Sequence, residues 1–366
     1  MSALYLWTSF GMICYLNAAI LKSLYHEPRP FWVSSDIKPQ KCRTDFGNPS
    51  GHSMATSFFW VSLYLHYYFE VGQRKKINTI FCTAYIVKMA LTATLIIFLM
   101  FMALSRVYLG EHSYNQVFYG TQLGVYFAVT LHFIVKPQLK RLPKKLRNSS
   151  QITGNKSTFD INVILLLLSI LLFIVLPIGL AFGIWHYSKD INLNSANWDQ
   201  RLKVFCEENP FIETASKFNK QFTQSGTIGL AAGAILGQLF EMKFINLNLS
   251  YQGWNKTDLF TTVIRTLITG VMYGIFGCLY FIVNPKVPIE QIYYILAVKF
   301  FIPTFMSSFL IFAFARLIFY KLKLVNEKAV GRMFEINDEE DGEFTSASKH
   351  ASNSLEFMEI EMSQKV

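Results

Sequence analysis

Three short segments in the first third of the chain carry residue types suited to handling a phosphate group. Lys22 precedes Arg29-Pro30, Pro49-Ser50-Gly51-His52 follows, and Ser105-Arg106 stands just ahead of His112. A phosphate monoester carries nearly two negative charges at neutral pH. One cation about 4 Å away contributes on the order of 4 kcal/mol at an effective dielectric near 20. Lys22, Arg29 and Arg106 therefore suffice to balance the charge. Arginine offers a planar fork for two oxygens, and lysine a compact point charge. Ser50 and Gly51 stand just before a helix start, where backbone amides and the helix dipole favour an anion. Gly51 permits a close approach that a side chain would block. His52 and His112 supply what phosphoryl transfer without a metal needs: an in-line nucleophile and an acid for the leaving oxygen. The residues alone do not assign the two roles. Singly, each feature is ordinary: a histidine at a span end hydrogen-bonds at the interface, a lysine there anchors, and Pro-Ser-Gly is a turn. The reading rests on their conjunction, in order and on one face.

Positioning these segments falls to membrane spans. Of the 366 residues, 52% are hydrophobic and 16% charged, against about 25% charged in a soluble protein. The apolar residues cluster into runs long enough to cross a bilayer, which takes about 20 residues per helix. Spans are predicted over 2–21, 53–70, 79–104, 114–135, 161–185, 225–241, 258–283 and 291–319. The fold expected is all-α, a polytopic membrane bundle of about eight helices. Residues 1–135 form a core that holds the three segments, 136–160 a basic loop, 161–320 additional spans, and 321–366 an acidic tail with too little apolar surface to order itself. The 225–241 run is rich in glycine and alanine and suits close helix packing. The amino-terminal run has no charged region before it and reads as a retained span.

Short basic loops set the orientation. Arg74-Lys75-Lys76 and the basic run over 136–147 are separated by two spans and share a face, cytoplasmic by the positive-inside tendency. The loops 22–52 and 105–113 then both lie on the opposite, luminal or extracellular face. Asn148, Asn155, Asn248 and Asn255 begin N-x-S/T triplets on the face read as cytoplasmic, and a glycan on any of them would invert this orientation.

The net charge of +10 forms no basic stripe with interleaved aromatics, so nucleic acid is not an expected partner; anionic membrane lipid is. Lys88, Arg265 and Lys299 fall inside spans, where snorkelling or pairing within the bundle is preferred over a role in a polar cavity. The five cysteines, at 14, 42, 82, 206 and 278, show no metal-type spacing. Cys42 and Cys206 lie in loops on the same side, and a disulfide between them is one possible pairing.

These motifs resemble the type 2 phosphatidic acid phosphatase superfamily, which includes lipid phosphate, sphingosine phosphate and glucose-6-phosphatases. The resemblance covers about residues 12–125. It implies a phosphatase core in the first four spans, with His112 as the nucleophile that becomes a phosphohistidine and His52 as the general acid. Lys22, Arg29, Ser50, Gly51 and Arg106 match the positions that bind phosphate, and no metal or other cofactor is implied. Where the family's third motif usually has an aspartate four residues after the nucleophile, this chain has Gln116. An amide can fix the imidazole tautomer but gives no negative charge, so either the nucleophile is weaker or another carboxylate assists; Asp36, Asp45 and Glu111 are nearest in sequence, and none stands out. Cys42-Arg43-Thr44 and Arg29-Pro30-Phe31-Trp32 resemble the glucose-6-phosphatase branch, which also has glutamine here. The run from Ser105 to Ser113 resembles the sphingosine phosphate branch. The resemblance implies an enzyme of the non-cytoplasmic face, in the endoplasmic reticulum or another endomembrane rather than the plasma membrane. A lipid phosphate is the first substrate expected, and a sugar phosphate the second. A membrane protein that binds phospholipid without turnover, suggested by Gln116, and a transporter, suggested by charges within the spans, are the other classes open.

Overall fold

The computed structural model describes residues 2–40, 42–71, 81–138, 168–188, 196–205, 214–245, 258–278 and 291–325. Arg74–Lys76, Asn148, Asn155, Asn248, Asn255, Cys206, most of the 136–160 loop and the acidic tail lie outside them. Among the described residues every regular element is helical.

Helix α1 runs over Ser2–Tyr15 and continues without a break through Leu16–Leu21 and Lys22–Tyr25. Pro28 and Pro30 end it, because proline's missing N–H and locked φ break a helix interior. A single turn, α2 (Pro30–Val33), starts on Pro30. Helix α3 (Gly51–His66) extends through Tyr67–Val71; α4 is Phe81–Tyr108; α5 (Tyr114–Thr130) extends through Leu131–Val135. After the basic loop come α6 (Leu176–Ser188), α7 (Ala196–Phe205), α8 (Thr214–Gln224), α9 (Gly229–Phe240), α10 (Leu259–Gly277) and α11 (Ile302–Lys321), the last preceded by Ile292–Tyr294 and Ile295–Phe301.

Among the described residues, six helical stretches are long and apolar enough to cross a membrane, which makes this an integral multi-pass protein. They are 3–33, 86–108, 114–138, 168–188, 259–277 and 292–321. The expected count of about eight is not confirmed among the described residues. The two remaining predicted spans, 53–70 and 225–241, do form helix over 51–71 and 225–245. Ser53, Ser57 and Ser62 dilute α3, whereas α9 is apolar but only 12 residues long and is followed by Glu241. These residues are buried against neighbouring helices, as Ser53, Ser57, Ser62 and Glu241 show.

The chain divides into two compact units, residues 1–246 with 266–316, and residues 247–265 with 317–366. In the first, α1 is shared by two apolar clusters. Its Ile13 packs with Met54, Phe58, Val61 and Leu65 of α3 and Ala128 of α5. Its Tyr15, Ala19 and Ile20 pack with Ala181 of α6, Phe222 of α8, Ala231 of α9 and Leu296. Two glycines permit the closest approaches. A Cβ on Gly124 would stand 2.4 Å from the Met54 carbonyl oxygen, so α3 and α5 touch backbone to backbone. A Cβ on Gly233 would stand 2.2 Å from the Phe305 carbonyl, which is the close packing expected of the glycine-rich run. In the second unit, Arg265 donates to the Leu324 carbonyl and lies 5.8 Å from the Phe319 ring, pairing as expected for a charge within a span. Lys88, in the first, is exposed and sits 4.7 Å over the Tyr68 ring.

A third cluster lies among the loops. Phe31, Trp32 and Phe46 of the first loop pack with Leu202 of α7 and Phe218 of α8, all fully buried. Burying such a side chain contributes about 1.5–3 kcal/mol, so these rings anchor the 26–50 segment to helices 150 residues and more away.

Candidate functional site

The first loop, the start of α3 and the turn between α4 and α5 meet at one cavity of about 770 Å³. Lys22, Arg29, Gly51, His52 and His112 all line it. Ser50, Arg106 and Gln116 stand one layer behind.

His112 is buried and its ring has a partner on each nitrogen. Nδ1 lies 3.3 Å from Gln116 Oε1, and Nε2 lies 3.2 Å from the Arg29 NH1. The amide's orientation follows from its other bonds: Gln116 Nε2 donates to the Pro28 carbonyl at 2.8 Å, and the Ser113 amide donates to Oε1 at 3.4 Å. Oε1 therefore accepts from His112 Nδ1–H, and the Nε2 lone pair is left facing the arginine. Burial, then the charges of Arg29 and Lys22, push the His112 pKa down to about 2. The ring is neutral at pH 7.

His52, in the first turn of α3, is largely exposed to the cavity and bonds to no described residue. Enclosure by the surrounding protein, with the charges of Arg106 and Arg43, lowers its pKa to about 4. The amide cradle expected from Ser50 and Gly51 is smaller than the sequence implied. The Ser50 amide donates to the Gln116 carbonyl at 3.0 Å, which ties α3 to α5, and its hydroxyl accepts from Ser53 at 3.1 Å. Gly51 remains at the wall.

Of the three carboxylates nearest in sequence, Asp36 is exposed and outside the cavity wall. Asp45 and Glu111 are buried at the wall, each engaged with cations. Asp45 Oδ2 accepts from Lys22 Nζ and, at 2.8 Å, from Arg29 NH2. Arg29 also donates from Nε to the Asp45 carbonyl at 2.7 Å and from NH1 to the Glu111 carbonyl at 2.9 Å. Glu111 pairs with Arg106 and stands 3.8 Å from Arg43 Nε. Burial alone would raise the Asp45 carboxyl, but Arg29, Lys22 and Lys220 outweigh it and hold it well below the ordinary carboxylate range. Neither carboxylate touches His112; Asp45 reaches it through Arg29.

Two features escaped the sequence reading. Lys220 of α8 lies 3.4 Å from Asp45 Oδ1 and 3.2 Å from Thr44 Oγ1. The signal for it is the polar stripe Lys217, Lys220, Gln221 and Gln224 at helical spacing, of which Lys217 and Gln221 are wholly buried. The second feature is the far wall of the cavity, formed by Gln224, Thr227, Leu230, Tyr273, Lys299, Phe300, Pro303 and Thr304. Lys299 thus borders the cavity. The disulfide expectation is half visible: Cys42 is disulfide-bonded and Cys14 and Cys278 are free, while Cys206 lies outside the described residues.

The fold and cavity define a multi-pass helical membrane protein with a cationic, two-histidine site at the mouth of its first four helical segments. Residues 2–140 match the model of the PAP2 superfamily, the family that the motifs in this segment resemble. Members of that superfamily are phosphatases acting on phosphorylated substrates, and the match supports a phosphoric monoester hydrolase. No curated protein and no solved structure matches the chain.

Proposed function

We propose that the protein is a membrane phosphomonoesterase that hydrolyses a lipid phosphate through a phosphohistidine on His112, at the non-cytoplasmic face. The observation that carries this reading is the meeting of His112, His52, Lys22 and Arg29 on one cavity. Lys22 and Arg29 hold the phosphoryl oxygens, with the Gly51 amide beside them and Arg106 behind through Glu111. Nε2 of neutral His112 attacks phosphorus as the bond to the leaving oxygen breaks. The Gln116 carbonyl keeps the Nδ1 proton in place as positive charge grows on the ring. Protonated His52 gives its proton to the leaving alkoxide. Water then attacks phosphorus, neutral His52 takes the water's proton, and the bond to Nε2 breaks to release orthophosphate. His52 is neutral in the unliganded site at pH 7; an arriving dianion beside it favours the imidazolium, so substrate itself charges the acid.

The far wall supports a lipid. Thr227 donates to the Gln224 carbonyl at 2.9 Å and Thr304 to the Phe300 carbonyl at 2.7 Å. Their hydroxyls are thus bonded to the protein itself, and apolar Ile13, Leu230, Phe300 and Pro303 line the same cavity. The disulfide at Cys42 supports the non-cytoplasmic side, because such bonds persist in oxidising compartments.

The test is phosphate release from phosphatidate, sphingosine phosphate and glucose 6-phosphate by purified protein, with His112→Ala as control. Release from the lipids that the variant lacks is expected. Equal release by variant and wild type removes the mechanism, and turnover confined to glucose 6-phosphate removes the lipid.

A further inference from the structure

We propose that Asp45 and Lys220 act as a pair that sets the affinity of this site for phosphate, with Lys220 a positioning residue supplied from outside the superfamily segment. The proposal rests on the reading that Lys22 and Arg29 receive the phosphate group.

Two buried cations side by side repel each other and are costly without a counter-charge. Asp45 supplies one. Its Oδ2 is shared by Lys22 and Arg29, and its backbone carbonyl takes Arg29 Nε as well. This fixes the guanidinium whose NH1 meets His112 Nε2. The arrangement has a cost for function: Asp45 lies at the cavity wall, and a carboxylate beside a bound dianion weakens its binding.

Lys220 answers that cost. It approaches the other oxygen of the same carboxylate, at 3.4 Å, from a helix outside the superfamily segment. It acts through Asp45 and is not itself at the cavity wall. The same logic repeats at Glu111, which takes Arg106 and has Arg43 as its second cation. Each carboxylate is thus matched by a cation beyond the three read from the sequence, and the site keeps their positive surplus for a dianion.

The position of Lys220 is also built. On α8, Phe218 packs 5.1 Å from Phe46, and Lys217 sits 5.0 Å over Trp32. Both rings belong to the loop that carries Arg29 and Asp45. The helix and the loop are therefore fixed to one another, as a charge pair of defined geometry requires.

The pair makes opposite predictions for its two members. Binding of orthophosphate to the full-length protein in nanodiscs is measured by calorimetry. Lys220→Met is expected to weaken it about tenfold, the scale of one charge at this range. Asp45→Asn, which keeps the shape and loses the charge, is expected to tighten it about tenfold. The double variant returns to near the wild-type value, and Lys220→Arg stays within about twofold of it. With turnover, Asp45→Asn lowers KM and, through slower phosphate release, kcat. A structural role alone would make both single variants weaken binding, and that result overturns the proposal, as does no change in either. Orthophosphate binding that follows the expected pattern without His112-dependent turnover would sink the catalytic reading and leave the pair standing. Turnover that depends on His112, with affinity indifferent to both residues, would do the reverse.

Discussion

The two ends of the cavity are built in opposite ways. At the mouth, polar groups bond across elements distant in sequence: Arg29 to Glu111, Gln116 to Pro28, Lys220 to Asp45. At the far wall, Thr227 bonds to a carbonyl within its own turn, and Thr304 bonds to one in its own turn and, at 3.2 Å, to the Gly226 carbonyl. The first arrangement fixes several side chains against one another, which chemistry at a single phosphorus requires. The second ties neighbouring helices through hydroxyl–carbonyl bonds rather than ion pairs and leaves shape and apolar surface to act on the rest of the substrate. Substitutions at the mouth should therefore abolish or slow turnover, whereas those at the far wall should redistribute it among substrates.

The sharpest break is expected at His112. His112→Ala should lower turnover by on the order of 10⁴-fold or more, since groups acting as a unit fail together; phosphate release measures it. His52→Gln should follow, at roughly 10²–10⁴-fold for a lipid phosphate. The same variant should lose far less against p-nitrophenyl phosphate, whose leaving group needs no proton. An equal loss on both would show that His52 is not the acid. Gln116→Leu comes next. It leaves the buried Nδ1–H without an acceptor, at about 1–3 kcal/mol, so kcat should fall about 10- to 100-fold with KM little changed.

Much of the mouth was legible in the sequence because the residues proposed to handle phosphate sit in three short motifs whose spacing survives folding. Lys22, Arg29, Gly51, His52 and His112 meet as their order and common face implied. What was not legible depends on tertiary contacts. Nothing in the spacing of Asp45 distinguishes it from Asp36, yet one is buried between cations and the other is exposed. Lys220 lies in a polar helix that reads as a connecting loop when only long apolar runs are sought. The Ser50 amide was available for an anion on local grounds, and it is the packing of α3 on α5 that gives it to Gln116. Hydropathy alone does not mark α3, which buries serines against other helices, while α9 is apolar but short.

Acid should expose the mouth's design through stability. His112 and His52 have folded pKa values of about 2 and about 4, against about 6.5 when unfolded. Below about pH 6.5 the unfolded chain binds protons that the folded chain refuses, so stability falls as pH drops. Asp45, held low when folded, adds its loss only below its unfolded value near 3.8. Thermal unfolding in detergent should show a falling midpoint from pH 6.5 towards 4, and His112→Asn should flatten that fall. The smallest effect is expected at the far wall. Thr227→Val removes a hydroxyl bonded to its own turn, and orthophosphate affinity should change by less than about twofold. A larger change would mean that the two ends are not separate in function.

The central claim is that one phosphorus sits between His112 and His52. A structure of the protein with vanadate, which takes up the five-coordinate geometry of the transferring phosphoryl group, tests it most directly. The metal centre is predicted to be bonded to Nε2 of His112, with Lys22 and Arg29 on its equatorial oxygens and His52 beside the opposite apical oxygen. Vanadate bound elsewhere in the cavity, or with the two imidazoles on the same side of it, would contradict the account.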